Sequence, residues 1–298
     1  LEKSWLVDAV GATETLGSWE PQWRKPDLLT QDDQNEPIPF AKTLNCVLFH
    51  DDCLRVLDCM PDNYVDVIFA DPPYMLSNNG FTCQNGRMVS VNKGKWDRSQ
   101  GVDADLAFHE AWLSRARRVL KPDGTLWVSG TYHSIYQCGY LLQRLGFHIL
   151  NDIAWFKPNA SPNLSCRFFT ASHETLIWAR QNPKGRHHFD YPAMKEGHWP
   201  EDPLKKPGLQ MRSVWSIPTP APREKIHGKH PTQKPLALLL RLLRASSKPG
   251  DIILDPFNGS GTTGVATQLL GKRKYIGVEL EEQHLDLTIR RLDDLRNH

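Results

Sequence analysis

The run VDVIFAD, Val65 to Asp71, limits this chain's fold more than any other feature, because its apolar residues are consecutive rather than alternating. A strand with one wet face alternates. An unbroken Val/Ile-rich run suits a strand covered on both faces, as in a parallel sheet between helices. NCVLFH (45–50), TLWVSG (125–130), HILNDIAWF (148–156) and ETLIWAR (174–180) read as further strands. Between them DCLRVLDCM (52–60), ADLAFHEAWLSRARRVL (104–120) and SIYQCGYLLQRLGF (134–147) carry apolar residues at helical spacing. Pro122-Asp123-Gly124 is expected to form a turn. The alternation predicts an α/β fold, a doubly wound and mostly parallel sheet with helices on both sides.

With 298 residues, 40% of them hydrophobic and 23% charged, the chain can bury a proper core. No apolar run approaches the roughly 20 residues of a membrane helix, and no secretory apolar segment is read near the N-terminus. A cytoplasmic protein without a membrane partner is expected. The six cysteines form no C-x-x-C pair and no zinc spacing, so reduced thiols and no metal site are expected.

Four stretches are distinguished. Residues 1–44 are polar and read as an N-terminal extension. Residues 45–180 carry most of the strand–helix alternation, broken by an Asn- and Gly-rich loop at 77–100. Residues 181–229 are rich in proline and hold nine Lys/Arg against five Asp/Glu, while the whole chain carries a net +2. They are therefore its basic part. Residues 230–298 resume with the helix-like KPLALLLRLLRASS.

In that last stretch, DIILDPFNGSGTTGVATQLL reads as strand, glycine-rich turn and helix, followed by the strand KYIGVEL ending near Glu279. Gly259 and Gly261 would let backbone approach a ligand where a Cβ would clash. The N–H groups of a helix starting near Thr262 would point into the loop. An acid such as Glu279 ending the second strand suits ribose hydroxyls. Asp255 would repel a pyrophosphate and favour an amine-bearing ligand such as S-adenosylmethionine. A dinucleotide, which fits the glycine spacing, and a purely structural β–α turn remain alternatives.

The other strand ends in Asp71-Pro72-Pro73-Tyr74. Ligands in open α/β sheets bind outside the carboxyl ends of strands. Two prolines stiffen the backbone and remove N–H donors. The Asp71 carboxylate and the Pro72 carbonyl could accept both hydrogens of an amine, and Tyr74 could offer a face to a planar ring. Such an elbow would stabilise charge developing on a poorly nucleophilic exocyclic amine. A capped turn with a surface tyrosine is the alternative.

DPPY together with DPFNGSGTTG resembles the DNA amino-methyltransferases, which move methyl from S-adenosylmethionine to adenine N6 or cytosine N4. The motif order, with GKHPTQKP (228–235) ahead of the glycine loop, resembles their permuted β group. FADPPYMLSNNG, VSVNKGKWD, NLSCRFF and SHETLIWAR are similar to GATC-specific adenine methylases of the DpnII type. The resemblance covers 45–295 and implies a Rossmann-like methyltransferase fold. It implies Asp71, Pro72, Pro73 and Tyr74 as the catalytic elbow. For the cofactor it implies Asp255, Phe257, Asn258 and Gly259, then Ser260, Gly261 and Thr262, with Glu279 on the ribose. Asp52 would join that pocket, and His230, Thr232, Gln233 and Lys234 would close over the cofactor's carboxylate end. His173 and Glu174 are left undecided between function and structure.

A base inside a duplex cannot reach such an elbow, so extrusion or single-stranded DNA is implied. The basic segment 181–229 is the expected DNA reader, with loop 77–100 ordering over DNA. The resemblance is compatible with a homodimer and a cognate restriction endonuclease. Aspartate at 71 favours adenine over cytosine N4. Methylation of a glutamine amide is disfavoured by motif order, and a silent DNA-binding module by the intact elbow and loop.

Overall fold

The structure, a computed structural model, describes residues 36–75, 81–84, 87–90 and 97–295. The strands are β1 (Pro39–Lys42), β2 (Cys46–His50), β3 (Val65–Ala70), β4 (Phe81–Gln84), β5 (Arg87–Ser90) and β6 (Leu120–Gly130), then β7 (His148–Phe156), β8 (His173–Arg180), β9 (Val214–Ser216), β10 (Ile252–Asp255) and β11 (Lys274–Glu279). The helices are α1 (Cys53–Cys59), α2 (Val102–Val119), α3 (Ile135–Arg144), α4 (Tyr191–Glu196), α5 (Leu236–Ser246), α6 (Thr262–Leu270) and α7 (Glu282–Asp294).

Nine strands form one sheet in the order β1-β2-β11-β10-β3-β6-β8-β7-β9, and β4 and β5 form a separate antiparallel pair. From β2 to β6 every pairing is parallel, while β8 runs antiparallel to both its neighbours. Val67 and Phe69 point into one core with residues of α5, α6 and α7. Val65, Ile68 and Ala70 point into the other, with α1, α2 and α3. That is the two-sided burial expected of a continuous apolar strand.

Three local differences from the sequence reading have simple causes. The expected extension 1–44 ends earlier, because Pro39–Lys42 pairs antiparallel with β2 as an edge strand. Residues 1–35 lie outside the described residues. The expected turn at Pro122-Gly124 is a bulge inside β6. Leu120 sits opposite Val65 and Thr125 opposite Val67, so the residues between are looped out without ending the strand. Segment 181–229 is no free loop. It adds β9 to the sheet and buries Trp215 against Trp127. Asp202 and Arg241 form an ion pair at 2.5 Å with both side chains 1% exposed, tying the segment to α5. Among the described residues no helix is long and apolar enough to cross a membrane.

Candidate active site

Two sequence-distant strand ends meet here. Ile253 and Leu254 of β10 lie beside Val67 and Ile68 of β3 in parallel register. The chain leaves β10 toward β11 on one side, and β3 is followed on the other by β6. This pair is therefore the switch point where an open α/β sheet opens a crevice. The elbow after β3 and the glycine loop after β10 line one cleft. Asp71, Pro73, Asp255, Phe257 and Gly259 face it, and so do Asp52, Glu279 and residues 230 and 232–234.

At the elbow a network of charges surrounds Asp71. Tyr74 donates its hydroxyl to Asp71 Oδ1 at 2.5 Å and lies 3.1 Å from Glu174 Oε2. Lys234 Nζ donates to Asp71 Oδ2 at 2.5 Å and to the Tyr74 hydroxyl oxygen at 2.7 Å. It also sits 3.5 Å from Glu174, which Lys157 pairs at 3.1 Å. The backbone N–H of Tyr74 donates to buried Asp97, which pins the elbow from the far side of its loop.

The charge balance follows from burial. Desolvation raises the Asp71 pKa, the neighbouring Glu174 charge adds to that rise, and Lys234 opposes it. Burial also works against ionised Glu174, yet Lys234 and Lys157 hold its pKa down at about 2. Desolvation works against the Lys234 cation, but the two carboxylates win and raise its pKa. Burial, then the charges of Asp71 and Glu174, keep Tyr74 protonated.

Two expectations need restating. Tyr74 is only 4% exposed and its hydroxyl faces the acids, so here it is a donor that steadies Asp71 rather than an open stacking face. Lys234, expected over the cofactor, lines the same cleft and also reaches Asp71 at the elbow. Asp71 keeps acceptor capacity, since a carboxylate offers about four lone-pair sites and two are occupied. Among the described residues none donates to the Pro72 carbonyl.

Packing also constrains the glycine loop, whose Gly259 lines the cleft. Gly259 and Gly261 have φ of 50° and 72°, values that L side chains rarely adopt. A Cβ on Gly261 would lie 2.3 Å from Thr288 of α7, and one on Gly259 would meet the His230 ring at 3.2 Å. Asp255 accepts from Phe257 N at 3.0 Å and from the Thr263 hydroxyl at 2.5 Å, capping the turn into α6. Burial pushes its pKa up to about 7. Asn258 accepts from Tyr275 at 2.8 Å and donates to Thr288 at 2.9 Å, locking loop to strand and helix. Arg291 was not singled out from the sequence. It donates to the Ser260 carbonyl at 2.7 Å and to the Thr262 hydroxyl at 2.9 Å.

The rest of the cleft suits a nucleoside bearing an amine. Glu279, which lines the cleft, accepts from Gly259 N at 2.7 Å and from Glu281 N at 3.0 Å, and each oxygen keeps further acceptor capacity. Asp52 caps α1 through Leu54 N at 2.7 Å. Phe257, packed edge-on against Trp112 at 5.4 Å, and Phe108 form an apolar wall. His230 lies against His284 at 4.4 Å, and Thr232 donates its backbone N–H to the His230 ring. Gln233 donates to the Glu224 carbonyl, while its buried Oε1 has no partner among the described residues.

Fold and cleft together define a doubly wound α/β enzyme with a nucleoside-type pocket at the switch point and an acid–proline elbow beside it. Residues 65–290 match the DNA methylase family of N6- and N4-type enzymes, and the chain belongs to that family. It is 46% identical over 256 residues to the Type II methyltransferase M2.DpnII of Streptococcus pneumoniae, covering 86% of this chain and 92% of that one. It is 45% identical over 251 residues to the Type II methyltransferase M2.MboI of Moraxella bovis, covering 84% and 89%. The crystal structure of the M1.HpyAVI–SAM complex superposes with a TM-score of 0.60 at 26% identity, over 83% of this chain and 99% of that one. The cytosine-N4-specific PvuII DNA methyltransferase matches at TM-score 0.60 with 18% identity, over 84% and 93%, a likeness of fold alone.

Proposed function

We propose that the protein is a site-specific DNA methyltransferase that transfers methyl from S-adenosylmethionine to the N6 amine of adenine, within the sequence GATC. The observation that carries this reading is the adjacency of β3 and β10, which brings Asp71 and the glycine loop to one cleft. Support for adenine comes from Asp71, and support for both adenine and GATC from the similarity to the M2.DpnII and M2.MboI methyltransferases.

S-Adenosylmethionine, when bound, supplies an electrophilic methyl group on a sulfonium. Asp52 and Glu279 are suited to its ribose side, Phe257 and Phe108 to its flat base, and Asp255 with residues 230 and 232–233 to its amino-acid end. Asp71 and the Pro72 carbonyl accept the two hydrogens of the target amine. That draws the nitrogen toward the pyramidal geometry of attack and fixes its alignment. Lys234 and Tyr74 hold Asp71 in place, and Asp71 is the nearest base to the proton released.

Duplex DNA reaches the elbow by base extrusion. Exposed Lys206, Arg212, Arg223 and Lys229 of segment 181–229 offer phosphate contacts. The Type II relatives support a role beside a restriction endonuclease, and homodimerisation belongs to the same reading.

One experiment tests the core of this. The protein is expressed in a host free of DNA methylation and modified bases are mapped genome-wide. N6-methyladenine confined to GATC is expected. N4-methylcytosine, or no modified base, would overturn the reading.

A further inference from the structure

The connection from β7 to β8, residues 157–172, rises directly beside the elbow. At its base Lys157 N donates to the Ser172 carbonyl at 2.7 Å, and Lys157 pairs with Glu174, which faces the Tyr74 hydroxyl. A second clamp ties the loop to the segment that follows β9. Asn159 donates to the Thr219 hydroxyl at 3.0 Å and accepts from Thr219 N at 2.9 Å.

Above this base the chain folds on itself. Asn163 is the hub: it donates to the Phe168 carbonyl at 2.6 Å, and its side-chain oxygen accepts from Ser165 N at 3.0 Å and Ser165 Oγ at 2.8 Å. Its backbone N–H donates to Thr170 Oγ1 at 3.3 Å. Cys166, with φ of 53°, turns the tip. The result is a knuckle with a prearranged backbone whose apolar side chains point outward. Phe168 is 68% exposed and Phe169 97% exposed.

Two adjacent phenylalanines in water, on a loop held by its own hydrogen bonds, do nothing for the core. Their place at the catalytic edge of the sheet, continuous with the elbow, points to the occupant. Arg167 is exposed beside them and supplies a positive charge suited to a phosphate. We propose that the knuckle 163–170 is the wedge that opens the duplex, with Phe169 inserting into the base stack from which the target adenine is turned out. The inference rests on the DNA-methyltransferase reading above. Apolar side chains inserted between base steps are a known means of unstacking DNA, and an aromatic ring replaces lost stacking. Asn163 prepays the ordering of the loop, so insertion costs little conformational entropy.

The test compares wild type with Phe169→Ala on three oligonucleotides carrying GATC. One is a fully paired duplex, one a duplex with an abasic site opposite the target adenine, and one a single strand. The expected result is a fall of about tenfold or more in kcat/KM on the paired duplex, in line with the contribution of an aromatic–base stack. Much smaller losses are expected on the other two, where the base is already free. 2-Aminopurine at the target position reports unstacking without methyl transfer. Its fluorescence should rise on binding wild type and far less on binding Phe169→Ala. Phe169 is almost fully exposed, so its loss should leave the melting temperature unchanged, and Phe169→Trp should restore the duplex rate. Equal loss on all three substrates, or no loss on the paired duplex, overturns the wedge. Failure of the methylase reading is separate: it is wild type leaving all three substrates unmethylated, while the fluorescence signal still decides the wedge.

Discussion

Asp71 cannot be separated from the cation that holds it. Asp71→Ala is expected to abolish methyl transfer while leaving S-adenosylmethionine affinity nearly intact; calorimetry beside a transfer assay checks both, and equal loss would remove Asp71 from its role. Lys234→Met should instead unfold the protein more easily, by about 3–5 kcal/mol in urea melts, because Asp71 is left as a buried and unpaired charge. Asp255 sets a pH dependence. Its pKa is raised to about 7 in the folded state against about 3.9 unfolded. Folding therefore gains from this group below pH 4 and loses that gain as pH rises through 7. Asp255→Asn should flatten the decline of melting temperature across that window. Much of this site was legible at residue level, since Asp71, Asp255 and Glu279 each end a strand. Glu174 stayed undecided, and Lys157 unread, for a physical reason. Their meeting with Lys234 depends on β7 pairing with β8 and on the chain returning from residue 234, neither of which any local pattern encodes.

At the scale of elements, the glycine loop is a joint between strand and helices. Gly261→Ala meets both a left-handed backbone and the Thr288 side chain. It should cost about 1–3 kcal/mol and weaken S-adenosylmethionine binding together with stability, read by thermal melts with and without the cofactor. Gly259→Ala, which meets only the edge of His230, should cost less. The sequence announced that these glycines were needed and offered ligand approach as a reason, but not the packing that adds to it. The partner at Gly261 is α7, and α7 cannot be placed against the loop from spacing alone. Arg291 escaped notice for the same reason: it reads as one more basic residue on an amphipathic helix until the helix is docked.

On the scale of the whole molecule, the proline-rich segment 181–229 is anchored to the body by a buried ion pair as well as by β9. Arg241 lies between the Trp199 and Trp215 rings, 5.0 and 5.2 Å from their centroids, and meets Asp202. Asp202→Ala should leave that guanidinium unpaired and cost about 3–5 kcal/mol, measurable as a lower urea midpoint. If the pair were idle, the midpoint would not move. The α/β architecture was readable because continuous apolar strands and helical stripes are local signals. The docking of 181–229 was not, because its composition describes a loop and only the paired Trp and Arg residues betray an anchor.

The sheet order also governs how the molecule is born. β10 and β11 lie near the end of the chain yet fill the middle of the sheet, between β2 and β3. A nascent chain that has emerged only as far as α5 therefore has two half-sheets with a gap at their centre, exposing strand edges that can pair with nothing native. Closure must await the last strands. Pairings so distant in sequence fold slowly and leave unpaired edges open to wrong partners. The same gap means that a truncated product has no cleft at all. Competence to modify DNA therefore arrives late, when the central strands have slotted into place and α7, whose Thr288 and Arg291 hold the glycine loop, has docked.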